Sequence, residues 1–335
     1  MSLPPGHPPI AARKIGVLLV NLGTPDAATP RAVKRYLAEF LSDTRVVEIP
    51  ALLWQPILRG IILNTRPKKS AHAYRQVWTD AGSPLAAITR AQAVALKDAF
   101  GPGVMVDWAM RYGTPAIGER LAAMKAAGCD RILIAPLYPQ YCAATTATAN
   151  DKAFGALAAM RWQPAIRTLP PYHDDPAYIA ALAESVRASL AALDFVPDAV
   201  LASFHGMPQR TLELGDPYHC HCQKTARLLG EALDRKLTIT FQSRFGRAKW
   251  LEPATDTTLT TLPGQSVKKI AIVAPGFSAD CLETLEELAI RGRESFIAAG
   301  GTHFAYLPCL NDSAVGIGML RSIVSRELAG WIDAP

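Results

Sequence analysis

Long apolar runs are missing from this chain. Nowhere in its 335 residues does a stretch approach the ~18 continuous apolar residues of a membrane-spanning helix, so no such helix is expected. Cysteine is scarce and badly spaced for pairing. The six cysteines stand at 129, 142, 220, 222, 281 and 309 without a Cys-x-x-Cys unit, and the Pro-rich start, residues 1–12, reads as a loose tail rather than a secretory leader. Reduced thiols in a cytoplasmic setting are therefore expected instead of a disulfide framework. Blocks of one charge are lacking too. The net charge is +6, but Lys and Arg are scattered and not interleaved with aromatics, which argues against nucleic acid and for an anionic small molecule or membrane surface. With half of the residues hydrophobic and 19% charged, the chain is of globular type, and its length predicts two domains.

What is present is an alternation. Ile15–Val20 is an apolar run closed by Asn21-Leu-Gly-Thr-Pro25, a buried strand and turn, and Thr29 with Pro30 predicts the start of a helix through Leu41. Helices are predicted over 84–99 and 115–127 and near 145–160, 176–192 and 223–235. Strands are predicted over 104–110 and 131–136 and near 165–169, 199–204, 237–241 and 268–274. Such alternation specifies an α/β fold with parallel sheets covered on both faces. The stretch 49–63 breaks the pattern: it is apolar, holds Trp54 and two prolines, and runs into the basic Asn64-Thr-Arg-Pro-Lys-Lys69. Two readings stand, a buried helical hairpin, or an exposed apolar lip with cations at its rim that meets a flat ligand or a membrane surface.

An internal repeat organises the rest. GVLLVNLGTP (16–25) lies over AVLASFHGMP (199–208), so Leu22 corresponds to His205. ILIAPLYPQYCAATT (132–146) lies over AIVAPGFSADCLETL (271–285), so Tyr138 corresponds to Phe277 and Cys142 to Cys281. The chain thus reads as two similar doubly wound, Rossmann-like parallel-sheet domains facing across a cleft, 13–163 and 164–312, followed by a segment 313–335 that packs back on the first domain. The first half is longer by the lip, about 50–83, a candidate cleft wall. His205 ends the first strand of the second half. A lone histidine beside apolar residues is ordinarily structural, and a Glu pair on a helix is ordinarily a solvated face. Here, however, Glu283 and Glu287, four apart on a predicted helix, fall at the same strand edge as His205, where ligands of open α/β sheets bind.

With these residues in hand, the chain resembles the ferrochelatases over about Gly16 to Arg321, through VNLGTP, PKKSAHAY with GSP, MRYG, APLYPQY, SFHGMP, GDPY and CLETLEE in family order. The resemblance implies a chelatase-type fold and a lyase that inserts Fe2+ into protoporphyrin IX at the last step of haem synthesis, with release of two protons. It implies that His205 and Glu283 are the catalytic and metal-meeting residues and that Glu287 is the next acid on a proton or metal path. It places Arg111, Tyr112 and Tyr138 facing the porphyrin, Arg66, Lys69 and Ser83 at the pocket mouth near the propionates, and Trp250 as an aromatic wall, with Phe277 and Leu22 also lining the site. Leu22 stands where the coproporphyrin-using branch has a tyrosine, which favours protoporphyrin. Some members carry a [2Fe-2S] cluster on four cysteines. This chain ends at Pro335 without their extension and Cys142 is one place off, so no cluster and no resident cofactor are expected. His219-Cys220-His221-Cys222, read as a strand, points its side chains to opposite faces. A monomer or homodimer is expected, cytoplasmic, with peripheral contact at the inner membrane face. The alternatives are a cobalt or nickel chelatase, which would want a second histidine where Cys281 stands, and a non-catalytic porphyrin carrier, which would not need Glu283 and Glu287.

Overall fold

A strand whose side chains are buried on both faces needs partners on both edges, and β1 (Lys14–Gly23) has them: Val17 to Val20 are wholly buried. In the computed structural model, which describes residues 4, 6, 7, 13–246 and 248–332, β1 pairs in parallel with β2 (Val104–Tyr112) on one side and β3 (Cys129–Pro136) on the other. β4 (Ala165–Thr168) extends the sheet beyond β3. The second half repeats the plan. β5 (Ala199–His205), β6 (Leu237–Gln242), β7 (Lys269–Val273) and β8 (His303–Leu307) form a parallel sheet in the order β6-β5-β7-β8, matching β2-β1-β3-β4. The doubly wound two-domain reading is the fold observed. Strand order reverses beside β1 and β5, and ligands bind beyond the carboxyl ends of strands at such switch points. Leu22 and His205 stand at those two ends.

The helices follow in order: α1 (Pro30–Leu41), α2 (Ala51–Ile57), α3 (Leu63–Val77), α4 (Pro84–Phe100), α5 (Ile117–Ala126), α6 (Thr148–Ala158), α7 (Pro176–Ala191), α8 (Gln209–Glu213), α9 (Tyr218–Leu233), α10 (Thr255–Thr261), α11 (Arg293–Ala298) and α12 (Ala314–Glu327). The predicted start of α1 holds: the Thr29 hydroxyl accepts from the Ala32 N–H, and Pro30 takes the first turn, where no donor is lost. Three π-helical stretches, Leu58–Ile62, Ala143–Ala147 and Glu283–Gly292, interrupt the α-helices. The last two follow β3 and β7 directly after the repeat cysteines, so the duplication extends to this rare winding, which recurs at functional sites.

Three expectations are corrected. A domain boundary at 163/164 cuts off β4, which pairs with β3 from Arg131↔Ala165 to Ile134↔Thr168; the sheets change hands between Thr168 and Ala199, across α7. α7 itself sinks Tyr178, Ala181 and Leu182 into one apolar cluster with Val17 and Leu19, joined there by Met319, Leu320, Ile323 and Val324 of α12. Next, β8 was not anticipated, because five residues after a Gly-Gly turn are too short for a period to be read. Finally, α9 begins five residues before the predicted helix, opened by the Asp216 carboxylate accepting from the Tyr218 N–H at 3.0 Å. His219 to Cys222 therefore lie on a helix, with Cys220 exposed and Cys222 buried. Among the described residues no group of three or more His, Cys, Asp or Glu is arranged to hold a metal ion. The amino-terminal tail, apart from residues 4, 6 and 7, and residues 333–335 of the last segment lie outside the described residues.

α9 docks the domains together. His221 stacks on His173, with centroids 3.6 Å apart and planes at 5°, and its Nδ1 accepts from the Tyr141 N–H at 3.2 Å. Desolvation, then the charge of His221, pushes His173 down to about 4, and burial lowers His221 as well. A histidine depressed in the folded state binds fewer protons than its unfolded form, which titrates near 6.5, so its contribution to stability is lost as pH falls from about 6.5 toward 4. Thermal melts across that window are expected to drop steeply for the native chain, and His173→Phe, which keeps the stacked ring, should flatten the drop. An unchanged slope would remove this pair from the acid response.

Candidate active site

α2, the π turn Leu58–Ile62 and α3 form one bent arm. Pro56 and Pro67 lie within it and cannot donate to the helical ladder. Its outward face is bare, with Leu52 92%, Leu53 65% and Ile61 57% exposed. Its inner face is anchored, with Leu58 and Leu63 buried against Leu41. The stretch is thus a lip on one side and a core element on the other. Trp54 belongs to the anchored side, since its indole N–H donates to the Leu41 carbonyl at 2.6 Å. Trp54→Ala should therefore lower stability by about 2 kcal/mol, roughly half the cost of emptying a fully buried aromatic site. Leu52→Ser and Leu53→Ser should leave the melting temperature within a degree or so of the native value. Equal melting losses for the three variants would contradict this division of the arm.

At the rim, Arg66 and Lys69 are exposed. Ser83, predicted beside them, is 4% exposed, and its hydroxyl accepts from Thr24 at 2.7 Å, joining the end of β1 to the start of α4. The first-domain wall holds another correction. Tyr112 has no exposed surface; its hydroxyl donates to Asp43 at 2.8 Å. The same Asp43 oxygen receives Arg111 and Thr148, and the Arg111 guanidinium lies 4.3 Å over the Tyr112 ring. Tyr112 therefore backs the wall, and Arg111 has its charge paired. Asp43 is the residue that sequence reading missed: a lone acid in a Ser-Asp-Thr turn carries no motif. The hydrogen bond from Thr148, together with those from the Arg45 N–H and Tyr112 and the charge of Arg111, outweighs burial, the largest single influence, and holds its carboxyl below the usual range. Tyr138 is buried against Ala149 and Ala153, its hydroxyl without a hydrogen-bond partner among the described residues. Leu22 is half-buried beside the same cluster.

The polar side is built on β5 and β6. His205 and Gln242 are register partners at the two strand ends. The His205 Nδ1 lies 2.7 Å from the Gly206 carbonyl oxygen; a carbonyl only accepts, so Nδ1 carries the proton, and the ring's acceptor position falls to Nε2. A Cβ at Gly206 would lie 2.6 Å from the Gln242 carbonyl oxygen and 3.3 Å from the Trp250 ring, so this turn requires glycine. Trp250, 9% exposed, closes that flank, and Phe277, beyond β7, is half-buried between the sheet cluster and Leu85 and Met110 of the first domain. Gln242 donates to the Glu283 carbonyl at 2.8 Å, while Ser243 donates to Glu287 from its N–H at 2.7 Å and its hydroxyl at 2.5 Å. Burial raises the Glu287 carboxyl above its ordinary range, against the lowering influence of Ser243, His205 and Arg291. Arg291 sits between the two acids: it donates to both Glu286 oxygens at 2.9 and 3.0 Å and lies 4.0 Å from Glu287.

The first domain meets this acid row directly. Leu282 packs against Val33 of α1 and Ala71 and Tyr74 of α3. Burial, and after it the Glu283 carboxylate, pushes the Tyr74 hydroxyl far up, and Tyr36 rises through burial, Tyr74 and Glu283. Tyr36 and Tyr74 were thus missed as neighbours of Glu283, although Tyr74 closes the PKKSAHAY motif. The structure brings His205, Glu283, Glu287 and Trp250 to one strand edge, while the Tyr112 hydroxyl turns to Asp43.

Two like parallel-sheet domains, with an acid row, one imidazole and Trp250 gathered at a strand edge of the second, define a two-domain chelatase. Two solved structures share the fold: SirB from Bacillus subtilis with Fe3+, 13% identical, covering 95% of this chain and 97% of that one with a TM-score of 0.56, and the sirohydrochlorin chelatase SirB from Bacillus subtilis subspecies spizizenii in complex with cobalt, 11% identical, covering 95% and 97%, TM-score 0.54. In sequence the chain is 57% identical over 333 residues to the ferrochelatase of Rhizobium meliloti (97% of this chain, 98% of the relative) and 56% identical over 340 residues to that of Agrobacterium fabrum (99% and 98%). The ferrochelatase profile matches residues 14–328, and the chain belongs to the ferrochelatase family, enzymes that insert a metal into porphyrin for haem synthesis. No helix among its described residues is long and apolar enough to cross a membrane.

Proposed function

We propose that the chain inserts Fe2+ into protoporphyrin IX to form protohaem, the last step of haem b synthesis, with His205 and Glu283 acting on the macrocycle. The observation that carries this reading is the short contact between His205 Nδ1 and the Gly206 carbonyl, which occupies Nδ1 as a donor and leaves Nε2 as the ring's acceptor. A free porphyrin must lose two pyrrole N–H protons as it gains a divalent cation, so the charges balance only if two acceptors are at hand. Nε2 of His205 and the Glu283 carboxylate supply them. Glu287, held by Ser243 and raised by burial, is suited to carry a proton onward, because burial that disfavours the ionised carboxylate eases its uptake of a proton. The iron is substrate, and the reading needs no resident cofactor.

The apolar partner follows the same logic. Leu22, Tyr138, Phe277 and Trp250 offer flat contact, and energy gained there can be spent on bending the ring toward the metal. The bare lip residues Leu52, Leu53 and Ile61 fit peripheral contact with the inner membrane face of a cytoplasmic enzyme, monomer or homodimer, taking up a lipophilic substrate. Leu22, in place of a hydroxyl-bearing residue, favours the two vinyl groups of protoporphyrin over extra carboxylates. Steady-state insertion with protoporphyrin IX and coproporphyrin III is the test: kcat/KM should favour protoporphyrin by about tenfold or more, the discrimination of one or two well-placed contacts. A preference for coproporphyrin would overturn the substrate assignment.

A further inference from the structure

We propose that Arg66 and Phe245 form a clasp across the mouth of the cleft, opened when a carboxylate of an incoming tetrapyrrole takes the guanidinium from the ring. The inference rests on the porphyrin reading only for what opens the clasp. The contact itself joins the domains: Arg66 comes from α3 in the lip of the first, Phe245 from the segment after β6 in the second, and the guanidinium carbon lies 5.3 Å from the ring centroid. Arg66 makes no ion pair or hydrogen bond among the described residues, so the ring face is its recorded partner. Phe245 is 45% exposed, which packing for stability alone does not explain.

The backbone around Phe245 is anchored on both flanks. Ser243 is held by Glu287 through N–H and hydroxyl, and Arg244 donates to Asp256 and Thr257. On the far side the Trp250 N–H donates to the Phe245 carbonyl at 3.0 Å, with the rings 5.0 Å apart. Ser243 and Gly246 both have positive φ, +65° and +71°, so Arg244 and Phe245 sit between two turn points. The Phe245 side chain thus reports on both sides of the site, through Ser243 to Glu287 and through Trp250 to the wall beside Gly206.

The strength suits a clasp that yields on each turnover. An exposed cation–π contact shifts an equilibrium by about two- to fivefold, whereas a carboxylate takes an arginine through two parallel charge-assisted hydrogen bonds and outcompetes the ring. Release would leave Phe245 and Trp250 side by side as apolar surface while Arg66 holds the substrate's acidic edge.

Phe245→Leu, which keeps apolar bulk but removes the π face, and Arg66→Gln test the pair in the full chain. Amide hydrogen exchange at Ser243 and Leu251, whose N–H groups donate to Glu287 and to the Met207 carbonyl, should speed up by about two- to fivefold in either variant and by no more in the double variant. Stopped-flow association of protoporphyrin IX should accelerate by a similar factor in Phe245→Leu. Unmoved exchange in both single variants, or factors that multiply in the double variant, overturns the clasp. Faster exchange in a chain that captures no porphyrin keeps the clasp and instead defeats the porphyrin reading; faster exchange with an unchanged association rate overturns its role as a gate.

Discussion

His205→Ala should lower the insertion rate by about 10²–10⁴-fold, the usual weight of a positioned acid–base group, while leaving the fold and most porphyrin affinity in place. The expectation of an intact fold follows from the bonding. The ring's hydrogen bond to Gly206 is local, whereas the strand end is held by backbone groups: the Gly206 N–H donates to the Gln242 carbonyl at 2.7 Å, and the Tyr218 hydroxyl donates to the His205 carbonyl at 2.9 Å. Neither bond is lost on truncation. Melting within about 1 kcal/mol of the native chain, porphyrin binding within a few-fold and turnover near zero form the expected pattern. Near-normal turnover would remove His205 from the chemistry, and a collapsed fold would return it to a structural part.

Glu283→Gln should produce a loss of about 10²-fold or more for a different reason. The amide keeps the volume, and the Gln242 bond to the backbone carbonyl of residue 283 survives, but the side chain no longer accepts a proton or attracts Fe2+. Porphyrin binding should persist, and the Tyr36 and Tyr74 hydroxyls, relieved of a facing negative charge, should titrate lower than in the native chain. A variant that binds porphyrin, melts normally and still turns over within threefold of native would show that the second proton goes elsewhere.

Much of this architecture is legible from residue pattern. The apolar runs of β1 and β5 and the two aligned repeats specify paired doubly wound domains, because a strand buried on both faces allows few alternatives. The strand-end positions of Leu22 and His205 follow from the same runs. Side-chain direction does not follow. Ser83 and Tyr112 lie in motifs beside the cleft, yet their hydroxyls turn inward to Thr24 and Asp43, and sequence spacing carries no record of such rotations. Asp43 is invisible for the opposite reason: its importance comes from three donors that arrive from α1's far neighbours, β2 and α6, brought together only by folding. The π winding of Glu283–Gly292 is likewise hidden, since its apolar spacing passes for an α-helix. The boundary at 163/164 failed because a four-residue edge strand is too short to announce which sheet it joins.

Two domains facing each other with acceptors on one side make a chelatase only if the metal goes in. Anaerobic incubation with Fe2+ and protoporphyrin IX, followed by porphyrin fluorescence, measures that directly. The fluorescence should disappear with two protons released per porphyrin, and should persist in His205→Ala. Tight porphyrin binding with undiminished fluorescence in the native chain would contradict insertion and leave a carrier in its place.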